Sequence, residues 1–283
     1  MAKLRVMSHN QWRFDNNYPD WEKVGLDCSA TTRTKGFAQV YKDLLPDLIG
    51  CQEVSFLMAD ELLRHAKALN LHYSLLWGRE TPIIYNPEKF EVVDSAFDLF
   101  PEKIDGFDGV FNNYKTKSWT LGVFRVKENG KLFIFVSTHL WWKSSNPNDI
   151  YYQHGSEQAR VYQLTLLNKV IDKYLQKYNC PVIIAGDFNA NYTSSTLKYM
   201  IDNGFVHAHG VATDFADNTE GYHECGPSGF NKEYSTRTFE FAIDHLLLKN
   251  FDCITVKRFE RYSPEYYLPL SDHSPVFIDI EIQ

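Results

Sequence analysis

The stretch Ala185-Gly186-Asp187-Phe188-Asn189-Ala190 closes the apolar run Pro181-Val182-Ile183-Ile184. The run reads as a buried strand, and Gly186 loosens the backbone at its end. Side chains alternate along a strand, so Asp187 and Asn189 point the same way at the tip while Phe188 points back. A carboxylate and a carboxamide then share one spot. That pairing suits a hard, oxygen-liganded cation or a water held for attack on phosphorus. A polar strand end turning into a loop would look the same, so the reading depends on what the other strand ends carry.

The chain around this stretch has 283 residues, 44% of them apolar and 23% charged. This is ordinary for a soluble globular protein, and α/β and all-β folds reach this size undivided, so one domain over residues 1–283 is expected. The net charge is -7 and no basic run occurs. Stable duplex DNA binding relies on many Lys and Arg neutralising phosphates, so no duplex partner is expected. A small phosphate ester or a short single strand remains compatible. The 5 cysteines are scattered, odd in number and form no C-x-x-C pair, which points to buried thiols in a reducing compartment. No 18-residue apolar span occurs, and Leu4-Arg5-Val6-Met7-Ser8 reads as a strand rather than a leader. A cytoplasmic protein is expected.

Strands are expected over residues 4–8, 48–54, 82–85, 91–99, 118–126, 131–140, 182–188, 239–248, 252–259 and 275–282, from β-branched and aromatic content between turn signals. Leu132 to Val136 is wholly apolar, as for a strand buried on both faces. Helical spacing links Val161, Leu164, Leu167, Ile171, Tyr174 and Tyr178, with Asn179-Cys180-Pro181 as the stop. Shorter stripes run through Phe37, Val40, Tyr41 and Leu44, stopped by Pro46, and through Leu62, Leu63, Ala66 and Leu69. Many long strands with few helices predict two packed sheets with helices outside them.

Five further strand ends carry polar groups: Ser8-His9-Asn10, Gln52-Glu53-Val54, Ser137-Thr138-His139, Ile243-Asp244 and Ser271-Asp272-His273. Asp244 reads as a carboxylate inside an otherwise apolar strand. Each alone is a turn residue or a satisfied buried polar group. A carboxylate or histidine among apolar residues is nevertheless costly without a partner or a metal. Six such ends together supply what phosphoester hydrolysis requires: carboxylates for Mg²⁺, an Asp–His pair for a proton, and His and Asn donors for developing negative charge.

With Gly186-Asp187-Phe188-Asn189, these segments resemble, in order, the endonuclease/exonuclease/phosphatase (deoxyribonuclease I-like) superfamily, over residues 8 to 275. The run Thr138-His139-Leu140-Trp141-Trp142-Lys143, followed by Arg160 and Gln163, is most similar to the deadenylase and nocturnin-like branch. The resemblance implies an α+β fold, a four-layer αββα sandwich of two mixed, mostly antiparallel sheets flanked by helices. It implies a Mg²⁺-dependent phosphoester hydrolase, with Mn²⁺ as a substitute. Glu53 resembles the principal metal ligand, with Asn10 beside it and Asp272 as a second metal-side ligand. Asp187 resembles the residue that orients or deprotonates water, Asn189 its phosphate-holding neighbour, and His139 the histidine on the scissile phosphate. His273 resembles the other catalytic histidine, with Asp244 orienting it. Asp187 and His273 both remain open as the base, and Glu80 and Arg79 as the partner of His139.

Trp141 and Trp142 offer a stacking face beside His139, though one of two adjacent tryptophans must face outward on any strand. His223 belongs to a loop expected to line the substrate pocket. His223-Glu224-Cys225 with His207 and His209 has no spacing of a closed zinc site. Asn191-Tyr192-Thr193 matches a glycosylation acceptor, but a glycan there would block the site. No Gly-x-Ser-x-Gly elbow or Gly-x4-Gly-Lys-Ser/Thr loop occurs. The alternative is a catalytically silent binding or regulatory relative. Such a member should have lost one of Glu53, Asp187, Asp244 or His273, and all four are present.

Overall fold

A computed structural model of the chain describes residues 1–214 and 242–283. Twelve strands among them form two six-stranded sheets, ordered β11-β12-β1-β2-β4-β3 and β5-β6-β7-β8-β10-β9. The first sheet holds β1 (Ala2–Asn10), β2 (Leu48–Gln52), β3 (Ser74–Leu76), β4 (Ile83–Tyr85), β11 (Ile254–Arg261) and β12 (Val276–Ile282). The second holds β5 (Phe90–Leu99), β6 (Ser118–Val126), β7 (Leu132–His139), β8 (Val182–Asp187), β9 (Val206–His207) and β10 (Asp244–Lys249). Only β1–β2 and β7–β8 are parallel pairs; the remaining pairs are antiparallel.

The alternation of side chains explains the layering. One face of each sheet meets the other in a core that includes Val6, Leu48 and Ile83 opposite Phe124, Phe135, Ile183 and Leu246. The outer face of the first sheet packs Met7, Ile49 and Phe277 against α2 (Ala30–Leu44) and α3 (Phe56–Ala68). The outer face of the second packs Val136 and Ile184 against α4 (Ser156–Tyr178) and α5 (Ser195–Asp202). β7 and β8 are buried on both faces, which is why they read as unbroken apolar runs. The expected four-layer α+β sandwich is therefore present. Its helices also include the short α1 (Pro19–Lys23) and α6 (Ala208–Val211).

Local signals set the element ends. Ser55 caps α3 by accepting from the Met58 amide at 3.2 Å, and Ser194 caps α5 by accepting from Leu197 at 3.1 Å. α2 and α4 end on left-handed Leu45 and Asn179. β3 and β9, three and two residues long, are too short for alternation to show in the sequence. Asp244 opens β10 instead of lying within a strand. Residues 239–241 of the expected strand lie outside the described residues.

The two sheets approach closely at the end where the polar residues gather. A Cβ on Gly50 would lie 2.9 Å from the Ala185 Cβ, so only glycine lets β2 and β8 approach this closely. A buried polar stitch crosses the same gap: Gln52 Nε2 donates to Ser137 Oγ at 3.1 Å, and Ser137 donates to the Cys51 carbonyl at 2.7 Å. Gly186 answers a steric need, because a Cβ there would stand 2.5 Å from the Thr138 carbonyl oxygen on β7. Cys28, Cys51, Cys180 and Cys253 are free thiols. No described helix is long and apolar enough to cross a membrane.

Candidate active site

The site grows out of strand register. β7 and β8 run parallel with His139 beside Asp187, and β8 and β10 run antiparallel with Asp187 opposite Asp244. β1 and β2 pair Asn10 with Gln52, which puts Glu53 one residue past the same end. Six loops and strand tips thus converge on one sheet edge. The ligating atoms of Glu53, His139 and Asp187 lie within 4.8 Å of one another, as do those of Asp187, Asp244 and His273. The separation of Glu53 and Asp187 is well inside the span that an ion and a phosphate can bridge.

Two of these residues need unusual backbone. Glu53 has φ 55° and Asn189 has φ 48°. Asparagine tolerates the left-handed region; a glutamate there costs conformational energy that the surrounding structure must offset. At Glu53 the turn ends β2 and swings the carboxylate into the cleft.

Asp187 is the hub. Its Oδ1 accepts from the Asn189 amide at 2.8 Å and its Oδ2 accepts from Asn10 Nδ2 at 2.9 Å. His139 Nε2 stands 3.3 Å from Oδ2 and His273 Nε2 3.8 Å. Burial pushes the Asp187 carboxyl up, but His139, the His273 cation and Lys117 outweigh it, and the group ends well below the usual carboxylate range. Glu53 follows the same balance: burial raises it, and His139, Lys117 and His273 bring it below its ordinary value.

The two histidines are tuned apart. His273 Nδ1 lies 2.6 Å from Asp244 Oδ2 and Nε2 lies 3.9 Å from Asp272 Oδ1. Burial opposes its charge, yet Asp244, Asp272 and Asp187 raise it well above 6.5, so it is an imidazolium at neutral pH. His139 goes the other way: burial and the neighbouring Lys117 lower it, against the opposing pull of Asp187 and Glu53. Lys117 Nζ donates to His139 Nε2 at 2.6 Å and is itself 4% exposed. Lys117 is the residue that the sequence reading missed. The available signal was its place just before β6, whose first residue, Ser118, pairs with His139.

Glu80 and Arg79 do not partner His139. Glu80 is buried against Arg13, and burial raises its carboxyl to about 7. Arg79 reaches the Tyr114 carbonyl at 3.5 Å. Behind the site, Tyr267 donates to the His273 carbonyl at 2.6 Å and accepts from His9 Nε2 at 3.1 Å. Ser271 donates to the Asn10 carbonyl at 2.9 Å, tying the His273 loop to β1.

The tryptophan expectation needs correction. Trp141 is 1% exposed and packs against Phe111 in a small core with Ala159, so it offers no stacking face. Trp142 is half-buried and makes an edge contact with Tyr151 at 5.5 Å. His223 lies outside the described residues, as do Glu224 and Cys225. His207 of the rejected zinc set lies 3.0 Å from His245 through Nε2 and Nδ1.

The donor set fits a hard divalent cation. Both Glu53 oxygens receive only long contacts of 3.4 Å, from Asn10 Nδ2 and the Arg13 amide, and the carboxylate is about one-quarter exposed. Its lone pairs are therefore largely unused. Asn10 presents its amide nitrogen to the carboxylates because its oxygen accepts from the Trp12 amide at 2.9 Å. Asp272 belongs to neither metal-capable group.

Residues 27–273 match the model of the endonuclease/exonuclease/phosphatase family. The chain belongs to that family. Among solved structures, an endonuclease/exonuclease/phosphatase from Bacteroides vulgatus superposes with a TM-score of 0.75 at 22% identity, covering 100% of both chains. A Bacteroides thetaiotaomicron mannosyl-6-phosphatase gives 0.74 at 20% identity, covering 99% of this chain and 100% of the other. The catalytic domain of human nocturnin gives 0.67 at 17% identity, covering 99% and 94%. At these identities the likeness is one of fold. A comparison with curated protein sequences finds no significant match.

Proposed function

We propose that the chain, acting as one catalytic domain, is a Mg²⁺-dependent hydrolase of phosphoester bonds, with Mn²⁺ able to substitute. The observation that carries this reading is the hub at Asp187, where a carboxylate held well below its usual range meets His139, His273 and Lys117 in one cleft. The family and the solved mannosyl-6-phosphatase with this fold support it. Glu53, with the Asp187 carboxylate beside it, would hold the metal, which would supply Lewis-acid polarisation of the phosphate; Asn10, whose oxygen is taken by the Trp12 amide, and Asp272, which lies against His273, would stand outside its ligand set.

The protein's own groups account for the rest. Asp187, ionised and steadied by Asn10 and Asn189, orients the attacking water and accepts its proton. His139, with Lys117 behind it, faces the phosphate oxygens, and Asn189 adds a polar neighbour. His273 is held by Asp244 as a cation beside Asp187, where it stabilises the charge that develops as water attacks. The water oxygen bonds to phosphorus, the phosphorus–oxygen bond to the alcohol breaks, the departing oxygen takes up a proton from solvent, and Asp187 returns to solvent the proton it accepted from the attacking water.

Small phosphate esters and flexible single strands suit the net charge of -7 better than duplex DNA. The test is a panel of phosphomonoesters, phosphodiesters, oligonucleotides and a plasmid, assayed with Mg²⁺, Mn²⁺ and EDTA. Turnover that EDTA abolishes is expected; turnover indifferent to EDTA, or rapid nicking of the plasmid alone, would contradict the reading.

A further inference from the structure

A second cleft, of about 540 Å³, adjoins the site. Asn189 and Ile243, which flank Asp187 and Asp244 in sequence, form its inner wall. Its outer wall comes from two loops: Ser144, Ser145 and Asn146 after β7, and Asn191, Thr193 and Ser194 before α5. The register that brings β7 and β8 together at His139 and Asp187 brings their following loops together as well.

The lining chemistry is selective. Hydroxyls and carboxamides both donate and accept, as the hydroxyls of a polyol do. Several of these groups are only half used: Ser144 Oγ and Ser194 Oγ accept from the Asn146 and Leu197 amides and keep their own protons to give. Asn191 accepts from Thr193 through Oδ1 and keeps both Nδ2 protons. Among the described residues no aromatic side chain lines the cleft, so a nucleobase would find no stacking face on these walls. Among the described lining residues only Ala190 and Ile243 are apolar, too little for a lipid tail. The one cation among the described lining residues, Arg160, gives Nη1 to the Trp141 and Lys143 carbonyls and Nη2 to Glu157, which leaves it poorly placed for a second phosphate.

We propose that this cleft is the leaving-group subsite and that it takes a neutral polyhydroxyl moiety, so that the substrate is a carbohydrate phosphate ester. The inference rests on the hydrolase reading above. Hydrolysis of a monoester would then yield inorganic phosphate and the free sugar, whose departing oxygen is protonated as the phosphorus–oxygen bond breaks. The sequence match to a glycosylation acceptor at Asn191-Tyr192-Thr193 is, on this account, two cleft residues flanking Tyr192.

The test compares kcat/KM on hexose 6-phosphates and on p-nitrophenyl phosphate, which carries no hydroxyls, for the wild type, Asn191→Leu and Ser145→Val. Both substitutions fall at exposed positions and spare the groups around Asp187. The wild type should favour a sugar phosphate over the aryl ester. Each variant should lose about three- to tenfold on the sugar phosphate, the scale of one or two neutral hydrogen bonds, with the aryl ester unchanged. Equal losses on both substrates, or no loss on either, would overturn the subsite while leaving the hydrolase reading intact. A wild type that turns over p-nitrophenyl phosphate or oligonucleotides but not sugar phosphates would do the same. No turnover of any phosphoester would overturn the hydrolase reading and the subsite with it.

Discussion

Asp187 and Asp244 stand opposite each other on β8 and β10, and the His273 ring lies between their carboxylates, 2.6 Å from Asp244 Oδ2 and 3.8 Å from Asp187 Oδ2. Two buried carboxylates on one rung repel unless a cation separates them. The His273 cation is therefore both the electrostatic cement of the strand pair and a group facing the reacting centre.

Replacing Asp244 by Asn keeps the shape and removes the anion that holds His273 charged. The expected outcome is a fall in kcat of about 10²- to 10⁴-fold, the scale of removing the orienting carboxylate or a catalytic histidine. His273→Ala should fall at least as far. Steady-state kinetics of both variants check this, and an Asp244→Asn enzyme within threefold of wild type would remove Asp244 from the mechanism.

Lys117→Met separates catalysis from stability. The buried ammonium carries a desolvation cost, and its neighbours are reacting groups rather than core. Activity should drop by about 10²-fold while the melting temperature stays level or rises. Paired kinetics and thermal unfolding read the two effects; a large loss of stability with activity per folded molecule intact would contradict the assignment.

Three buried histidines outside the reacting groups make the fold acid-sensitive. Burial lowers His9 to about 3 and His245 to about 4, and holds His207 well below 6.5. The unfolded chain takes up these protons near pH 6.5 and the folded chain resists, so stability is full above pH 6.5 and declines as the pH falls towards 4. By pH 5 each costs about 2 kcal/mol. His273 has the opposite shift, and its contribution is already complete below pH 6.5. Urea unfolding at pH 7 and pH 5 measures the decline, which His245→Gln should reduce by about one histidine's share.

Gly186→Ala tests the close approach of β7 and β8. The new methyl would press on the Thr138 carbonyl oxygen of the backbone, which cannot swing aside. A loss of about 1–3 kcal/mol in urea unfolding is expected, the scale of overpacking a core. Gly210→Ala, where a Cβ would meet no atom within 4 Å and φ is not positive, controls for the loss of glycine alone.

Much of this was legible in the residues because the fold is built of long strands. Ile183 and Ile184 announce β8, and the polar residues that follow such runs could only gather at strand ends. Asp187, Asn189 and His139 were found that way. Lys117 was not, because a lysine before a strand is usually a solvated turn residue, and only the β6–β7 pairing turns it inward. Trp141 misled for the opposite reason: it lies just past the strand, and the chain buries it against Phe111 and α4. Arg33 shows the same limit, since nothing local reveals that its fully buried guanidinium bonds the Leu270, Phe14, Gln11 and Trp12 carbonyls.

The most direct test of the central claim is the hydrolysis of an aryl phosphate ester by wild type, Glu53→Gln and Asp187→Asn across a Mg²⁺ titration, with EDTA as the zero point. Wild type should be active with Mg²⁺ and silent in EDTA. Glu53→Gln should need far more metal and turn over more slowly, and Asp187→Asn should lose at least about 10²-fold at saturating metal. Wild-type rates from Asp187→Asn, or from Glu53→Gln at limiting Mg²⁺, would contradict the account.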